Sequence, residues 1–370
     1  MSQTFIPISK PWITEKEVEF VTDAVRSTWV SSLGKYIDKF EEDFAKFCDT
    51  KYGVALMNGT IALQLALEAC GIGDGDEVIV PDLSFIATAN AVLNIGAVPV
   101  FVDVEPITYC IDPSKIEEAI TSKTKAIIPV HLYGHPSEMI SVNAIAKKYN
   151  LKVVEDAAEA HGATINGKKV GSFGDCAIFS FYGNKNLTTG EGGMVVTNNK
   201  EIYDRCRFLR DHAMSKEKRY WHPEKGYNYR MTNLQAALGC AQMSRISEIM
   251  ANRISLFEKY KKALGGCESI VLNQTLPWAT NSYWLIIARF KDISESQRDK
   301  LMVSLKEKGI DSRPFFYPMS DMPYFKQKPN TPVTHKVYKE GINLPTSFDL
   351  TEEQVNFICD SIKAIVKDLK

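Results

Sequence analysis

The chain has 370 residues, of which 45% are hydrophobic and 24% are charged, and its formal net charge is -1. This length exceeds the size at which one hydrophobic core usually stops growing, so we expect two domains. The near-zero charge argues against a basic surface for nucleic acid or anionic membranes. No apolar run reaches the roughly 18 residues of a membrane span, and residues 1–10 lack the basic and apolar regions of a signal peptide.

The eight cysteines are scattered, and no two of them form a C-x-x-C pair. This spacing argues against a zinc site, a redox dithiol or a disulfide framework. The six histidines also lack metal-ligand spacing, so we expect no metal site. Unpaired thiols are typical of a reducing compartment, and the sequence therefore predicts a cytoplasmic protein.

The first two-thirds of the chain alternates helical patterns with short apolar runs. A capping box formed by Thr14 and Glu17 predicts the start of the first helix. Seven later runs are rich in valine and isoleucine and lack period-two alternation, which predicts strands buried on both faces. These runs are 54–57, 77–80, 98–102, 126–130, 152–155, 177–181 and 193–197. Intervening helices are predicted at 61–70, 87–93, 136–149 and 200–210.

This alternation predicts an α/β domain built on a mostly parallel seven-stranded sheet. Near Arg245 the pattern changes, because a long helix at 244–264 leads into a region with fewer strands. That region contains a predicted strand at 282–290 and predicted helices at 297–308 and 352–369. We therefore predict a large domain over residues 1–244 and a smaller α+β domain over residues 245–370.

Polar side chains follow several of the predicted strands, at the sheet edge where ligands of open α/β sheets bind. Asn58-Gly59-Thr60 follows the first strand and begins a helix, whose free N–H groups suit a phosphate. An ordinary helix cap would have the same sequence. The chain contains no G-x-x-x-x-G-K-[ST] motif and no good G-x-G-x-x-G motif, so a triphosphate or dinucleotide site is not expected.

Asp156 and Lys185 carry the strongest chemical signal. Asp156 closes a buried strand beside small alanines, where a carboxylate can hold a pyridinium nitrogen protonated, although it could also cap a helix. Lys185 lies just past another buried strand, before a glycine-rich turn. Burial makes a lysine amine nucleophilic, whereas most lysines are solvated surface groups. Together these motifs predict an enzyme that uses pyridoxal 5'-phosphate (PLP), with Lys185 as its Schiff-base lysine.

The family resemblance is carried by the segments around these motifs, 58–60, 155–160 and 179–193, and by residues 29–36 and 341–345. Together they resemble the DegT/DnrJ/EryC1/StrS sugar aminotransferases, which have the aspartate aminotransferase fold of PLP enzymes (fold type I). The resemblance implies that Lys185 binds the cofactor and moves the proton, and that Asp156 pairs with the ring nitrogen. It also implies stacking by Phe85 and a contact of Glu159, where the family often has Gln, near the PLP hydroxyl. The remaining implied cofactor contacts are to the phosphate, from Gly59, Thr60, Ser180 and Asn228.

Asn228 matches an asparagine that reaches the cofactor phosphate of the neighbouring subunit, so the resemblance implies a homodimer with shared active sites. A family class with histidine at the lysine position is a dehydratase, and Lys185 therefore favours amino transfer. Arg230 and Arg313 are candidate anchors for a substrate phosphate or carboxylate. Either arginine could equally form a structural ion pair.

Narrower motifs at 218–222, 227–233 and 312–318 resemble the branch that aminates GDP-4-keto-6-deoxymannose at C4, with glutamate as donor. Asn281 departs from this branch, which usually has His at that position. A UDP- or dTDP-linked 4-keto-6-deoxy sugar therefore stays an alternative substrate. A non-catalytic binding or regulatory protein on the same fold is the alternative of another class.

Overall fold

The computed structural model describes residues 5–369. Residues 1–4, at the start of the predicted large domain, and Lys370, at the end of the predicted small domain, lie outside this range. The α-helices in the described range are α1 (Glu15–Arg26), α2 (Lys35–Phe47), α3 (Gly59–Ala69), α4 (Ala87–Asn94), α5 (Met139–Tyr149), α6 (Lys200–Arg210), α7 (Asn233–Met243), α8 (Ile246–Leu264), α9 (Glu295–Glu307), α10 (Pro332–Glu340) and α11 (Glu352–Leu369).

The strands alternate with helices in the first two-thirds of the chain and become antiparallel pairs later. They are β1 (Tyr52–Leu56), β2 (Glu77–Pro81), β3 (Val98–Val102), β4 (Thr124–Ile127), β5 (Lys152–Asp156), β6 (Thr164–Ile165), β7 (Lys168–Lys169), β8 (Cys176–Ser180), β9 (Gly193–Thr197), β10 (Ile270–Leu272), β11 (Ala279–Thr280), β12 (Ile286–Phe290), β13 (Arg313–Pro314) and β14 (Gly341–Leu344).

The main sheet has seven strands in the order β1-β9-β8-β5-β4-β2-β3. Strand β9 runs antiparallel to both of its neighbours, and the remaining neighbouring pairs are parallel. The predicted mostly parallel α/β sheet is confirmed, and its strand ends differ from the predicted ones by at most three residues. The capping box of Thr14 and Glu17 is also confirmed at the start of α1.

Both faces of the main sheet are buried. Along β9, Val195 packs into one apolar cluster with α3 and α6, while Met194 and Val196 pack into another with α2 and α7. Because consecutive strand residues point to opposite faces, a strand covered on both sides must be apolar at every position. This is the physical reason why the strand sequences lack alternation.

A second core lies in the C-terminal third, around a four-stranded sheet with the order β10-β12-β14-β13. Helices α8, α9 and α11 contribute buried residues to it, and so does Ile6, whose backbone pairs with Ile310. Phe315 and Met319 instead pack against the core of the main sheet. The C-terminal region therefore holds its own core and also covers part of the large one.

Three predicted elements begin later in the structure than in the sequence pattern. The helix predicted from residue 136 begins at Met139, and the one predicted from residue 244 begins at Ile246. The strand predicted from residue 282 begins at Ile286, because the preceding Tyr283 has φ 47° and breaks the extended backbone. Helices α2, α7 and α10 were missing from the predicted elements.

Candidate active site

A cavity of about 510 Å³ opens at the carboxyl edge of the main sheet, beside the ends of β5 and β8. Residues from five separate stretches of the chain before residue 192 line it, together with Trp284 and Phe316 from the C-terminal region. The structure brings together most of the residues that the sequence predicted for the site. Those lining the cavity are Gly59, Thr60, Phe85, Asp156, Glu159, Ser180 and Lys185.

The start of α3 forms one end of the cavity. Asn58 caps the helix, because its side-chain oxygen accepts the N–H of Ile61 at 2.9 Å. Gly59 lies so close to β8 that a Cβ there would stand 2.8 Å from Ser180 Cβ. Only glycine lets this helix begin against the strand, and the close approach joins the helix N-terminus to the hydroxyls of Thr60 and Ser180. Such a terminus favours a phosphate.

Asp156, at the end of β5, is buried and held in one orientation. Its Oδ2 accepts the hydroxyl of Thr88 at 2.9 Å, and its Oδ1 accepts the N–H of Ala158 at 3.2 Å. Burial raises the pKa of Asp156, while the two hydrogen bonds and the nearby Lys185 oppose that rise. The hydrogen bonds from Thr88 and Ala158 thus stabilise the charged form of Asp156, and a nearby cation would stabilise it further.

Lys185 and Glu159 face each other inside the cavity. Lys185 Nζ lies 3.6 Å from Glu159 Oε1, and the two side chains are 11% and 5% exposed. Burial lowers the pKa of Lys185, and the carboxylates of Glu159 and Asp156 partly offset this effect. Burial also raises the pKa of Glu159, to about 7. A lysine with a lowered pKa supplies more of the uncharged amine, which is the nucleophilic form.

Tyr133 fixes the other oxygen of Glu159. Its backbone N–H donates to Oε2 at 2.8 Å, and its backbone has φ 53° and ψ 18°. This left-handed conformation costs a residue with a side chain about 1–2 kcal/mol. The strain is localised where the chain presents this N–H to the carboxylate, which is a common location for backbone strain in functional sites.

An aromatic wall, formed by Phe316, Tyr133 and Trp284, closes one side of the cavity. The ring of Tyr133 stacks on Phe316 at 5.6 Å and on Trp284 at 6.4 Å. Trp284 Nε1 donates to the carbonyl of Asn184 at 2.9 Å, and Lys185 Nζ lies 3.5 Å from its ring centre. This wall excludes water from one side of the lysine.

The sequence pattern does not predict four residues of the site: Thr88, Tyr133, Trp284 and Phe316. For Thr88 a weak signal existed, because Ser84 and Thr88 are four residues apart where α4 begins, and their hydroxyls lie 3.1 Å apart. The other three lie far along the chain from the residues they contact. No local pattern could have placed them in the site.

The structure does not bring three predicted residues into this cavity. Asn228 is exposed and does not line it. Arg230 bonds to the side chains of Asp211 and Ser32, and Arg313 forms an ion pair with Asp311. Within this chain, both arginines have the structural ion pairs that the sequence left open as an alternative.

The residues of the cavity fit pyridoxal phosphate. Gly59, Thr60 and Ser180 would form a cradle for the phosphate, Asp156 would supply an acid for the ring nitrogen, and Lys185 would supply the amine. Asn184, which also lines the cavity, has a buried Oδ1 without a hydrogen-bond partner among residues 5–369, and such an atom indicates a missing ligand or water. The cavity is within the usual size range of small-molecule sites.

No group of three or more His, Cys, Asp or Glu side chains within residues 5–369 could hold a metal ion. In the same range, no helix has both the length and the apolar character that crossing a membrane requires.

Comparison with known proteins agrees with the geometry. The family model of the DegT/DnrJ/EryC1/StrS aminotransferases matches residues 11–363. The chain is 44% identical to a GDP-perosamine synthase of Escherichia coli O157:H7, over 98% of this chain and 99% of that protein. It is 42% identical to the GDP-perosamine synthase of Caulobacter vibrioides, over 98% of each chain.

The fold agrees as well. The PLP form of the putative sugar aminotransferase Spr1654 from Streptococcus pneumoniae superposes with a TM-score of 0.94 at 29% identity. The match covers 99% of this chain and 100% of that one. The predicted aspartate aminotransferase-like fold and the predicted cofactor are therefore confirmed. The chain belongs to the DegT/DnrJ/EryC1/StrS aminotransferase family, and it is an enzyme that depends on pyridoxal phosphate.

Proposed function

We propose that this enzyme transfers an amino group from glutamate to C4 of GDP-4-keto-6-deoxymannose, which gives GDP-perosamine. The observation that carries the proposal is the cavity in which Lys185 faces Glu159 and Asp156 beside a phosphate cradle. The choice of a GDP sugar is supported by the 42–44% identity to two GDP-perosamine synthases over 98% of the chain. UDP- and dTDP-linked 4-keto-6-deoxy sugars are the alternative substrates.

In this proposal each residue has a distinct task. Bound pyridoxal phosphate supplies an aldehyde that accepts the amino group and a ring that withdraws electrons. Lys185 Nζ removes the proton from the α-carbon of glutamate and later delivers a proton to C4 of the sugar. Asp156 holds a proton on the ring nitrogen, and the cradle of Gly59, Thr60 and Ser180 anchors the phosphate.

The aromatic wall of Phe316, Tyr133 and Trp284 keeps water from Lys185 during both proton transfers. Phe85, which is 55% exposed at the mouth of the cavity, stacks on the cofactor ring in this proposal. Glutamate and the sugar use the same cavity, so they bind in turn rather than together.

We also propose that the enzyme is a cytoplasmic homodimer in which Asn228 reaches the cofactor phosphate of the neighbouring subunit. The proposal is supported by the exposed position of Asn228 outside its own cavity and by large exposed side chains such as Trp29 and Leu33. Arg230 and Arg313 are proposed substrate anchors only if their present ion pairs open. The mass of the cofactor-loaded enzyme in solution tests the dimer.

We also propose a large domain over residues 1–244 and a small one over residues 245–370, because the sequence pattern changes near Arg245. The second core, formed mostly by residues after 255, supports it. Two residues pack into the core of the other proposed domain. Ile6, from the large domain, belongs to the second core, and Phe315, from the small domain, belongs to the core of the main sheet.

The decisive experiment measures release of 2-oxoglutarate from glutamate with three acceptors: GDP-4-keto-6-deoxymannose and its UDP and dTDP counterparts. We expect turnover with the GDP sugar, and a loss of at least about 10³-fold in Lys185→Ala, because this variant lacks both the nucleophile and the proton carrier. Lys123→Ala, at an exposed lysine, is the matched control.

Three results would contradict parts of the proposal. Near-normal turnover of Lys185→Ala would remove its central residue. Faster turnover of a UDP or dTDP sugar would change the substrate but keep the chemistry. A purified protein that takes up no pyridoxal phosphate and is colourless would support the non-catalytic alternative.

A further inference from the structure

Glu159 is placed as more than a contact for the cofactor. One of its oxygens, Oε2, is held by the backbone N–H of Tyr133, and the other, Oε1, faces Lys185 Nζ at 3.6 Å. Its backbone carbonyl is also anchored, since it accepts the hydroxyl of Ser282 at 3.2 Å. Both ends of the residue are therefore fixed, and Oε1 is oriented toward the lysine.

We propose that Glu159 exchanges a proton directly with Lys185, so that the two side chains share one proton during the reaction. In the forward step an N–H bond of the Lys185 ammonium breaks and an O–H bond forms at Glu159 Oε1. The reverse step returns the proton, and no other atom is gained or lost. This inference deepens the proposed function and rests on it, because it needs a reaction in which Lys185 must be alternately protonated and free.

The charged and titratable groups around Glu159 leave it as the partner with the best geometry. Asp156, from β5, is already engaged by Thr88 and Ala158. The phenol of Tyr133 keeps its proton, because burial raises its pKa well above the ordinary value. His161 stays neutral, because burial and the charge of Lys185 lower its pKa to about 3. Glu191, the other carboxylate lining the cavity, is exposed to solvent.

The surroundings of Glu159 and Lys185 bring the pKa values of the two side chains closer together. Burial disfavours the charged form of both, which raises the pKa of Glu159 to about 7 and lowers that of Lys185. Proton exchange between two groups is fast and reversible when neither one holds the proton much more strongly. Trp284 and its stacked neighbours cover one side of the lysine, which limits loss of the proton to solvent from that side.

The test uses Glu159→Gln, which keeps the shape of the side chain but cannot take up a proton. Competitive labelling of the cofactor-free protein with acetic anhydride, quantified for the Lys185 peptide by mass spectrometry, gives the reactivity of this amine against pH. In the wild type we expect two steps, since two coupled groups titrate. In Glu159→Gln we expect one step, about one pH unit or more lower, because the opposite charge that favours the ammonium is gone.

Glu191→Gln is the matched control for labelling, because it removes a carboxylate of the same cavity that does not contact Lys185. Its labelling profile should match the wild type. In the cofactor-loaded enzyme, Glu159→Gln should lower the rate of the glutamate half-reaction by about 10²-fold. The pH dependence of that rate should lose one ionisation.

Each outcome is decisive. A single-step profile in the wild type, which requires no variant to fold, overturns the inference, as does a profile that is the same in Glu159→Gln. A lowered labelling midpoint without a change in the pH dependence of the half-reaction also overturns it, because Glu159 would then act only as a fixed charge. Labelling does not depend on turnover, so failure of the proposed function is recognised separately, by the absence of 2-oxoglutarate release.

Discussion

We expect the hydrogen bond from Thr88 to lower the pKa of Asp156, and replacing Thr88 with valine tests this directly. The Thr88 side chain is 1% exposed, and its hydroxyl donates to Asp156 Oδ2 at 2.9 Å. After burial, which raises the pKa of Asp156, this hydrogen bond is the largest influence on that carboxyl and lowers its pKa. Valine has the same shape as threonine but no donor, so Thr88→Val leaves a buried carboxylate oxygen without its partner.

The size of the effect follows from this single bond. A hydrogen bond to a charged group contributes about 1.5–3 kcal/mol, which corresponds to a rise of about one to two units in the pKa of Asp156. A carboxyl whose pKa is higher in the folded state binds more protons there, so the free energy of unfolding falls as pH rises through the window between the two values. Thr88→Val extends this window upward. The loss in the free energy of unfolding caused by Thr88→Val should therefore be small near pH 4. Near pH 8 it should approach the full contribution of the hydrogen bond.

Urea unfolding of the cofactor-free protein at pH 4, 6 and 8 measures this cost, and titration with pyridoxal phosphate measures the affinity of the site. Thr88→Ser, which keeps the hydroxyl, is the matched control and should retain most of the stability at pH 8. If Thr88→Val and the wild type differ equally at pH 4 and pH 8, the loss is one of packing and the electrostatic reasoning is wrong. If they do not differ at all, the hydrogen bond contributes nothing.

Two further variants test the cradle and the buried histidine. Gly59→Ala places a Cβ 2.8 Å from Ser180 Cβ. Because such overpacking costs about 1–3 kcal/mol, the variant should bind pyridoxal phosphate about tenfold more weakly, or weaker still, in an absorbance titration. Gly73→Ala, whose Cβ meets nothing within 4 Å, should bind like the wild type, and equal affinities of the two variants would contradict the cradle. Burial lowers the pKa of His135 from 6.5 to about 4, so the unfolded chain binds more protons in that window and acid should remove about 3 kcal/mol of stability. His135→Gln should flatten the fall in stability seen by urea unfolding between pH 7 and pH 4, and an equally steep fall would refute this.

Much of the architecture was determined by local sequence. Every strand of the main sheet was predicted, because a strand covered on both faces must be apolar throughout and contrasts with its polar flanks. The polar residues that follow β1, β5 and β8 were predicted to meet, since the carboxyl ends of parallel strands share one edge. Asp156 and Lys185 line the same cavity for this reason.

The direction of a strand within a sheet is not written in its own residues. Strand β9 is as apolar as its neighbours β1 and β8. Those two strands run in the same direction, yet β9 runs antiparallel to both. Its direction depends on how the connecting segments cross the sheet. The beginning of β12 was misjudged for a related reason, because the apolar residues before it are buried against the rest of the protein without being extended.

The surroundings of the proposed catalytic groups were decided only by the tertiary structure. Thr88 bonds to a residue 68 positions away, and the partner that Tyr133 holds, Glu159, is 26 positions away. Trp284 reaches the carbonyl of Asn184 across 100 positions. Local patterns record which face of an element is apolar, whereas these contacts depend on which elements pack together and at what angle. The sequence thus predicted which residues carry the chemistry, and the packing of distant segments decided which charged and hydrogen-bonding groups surround them.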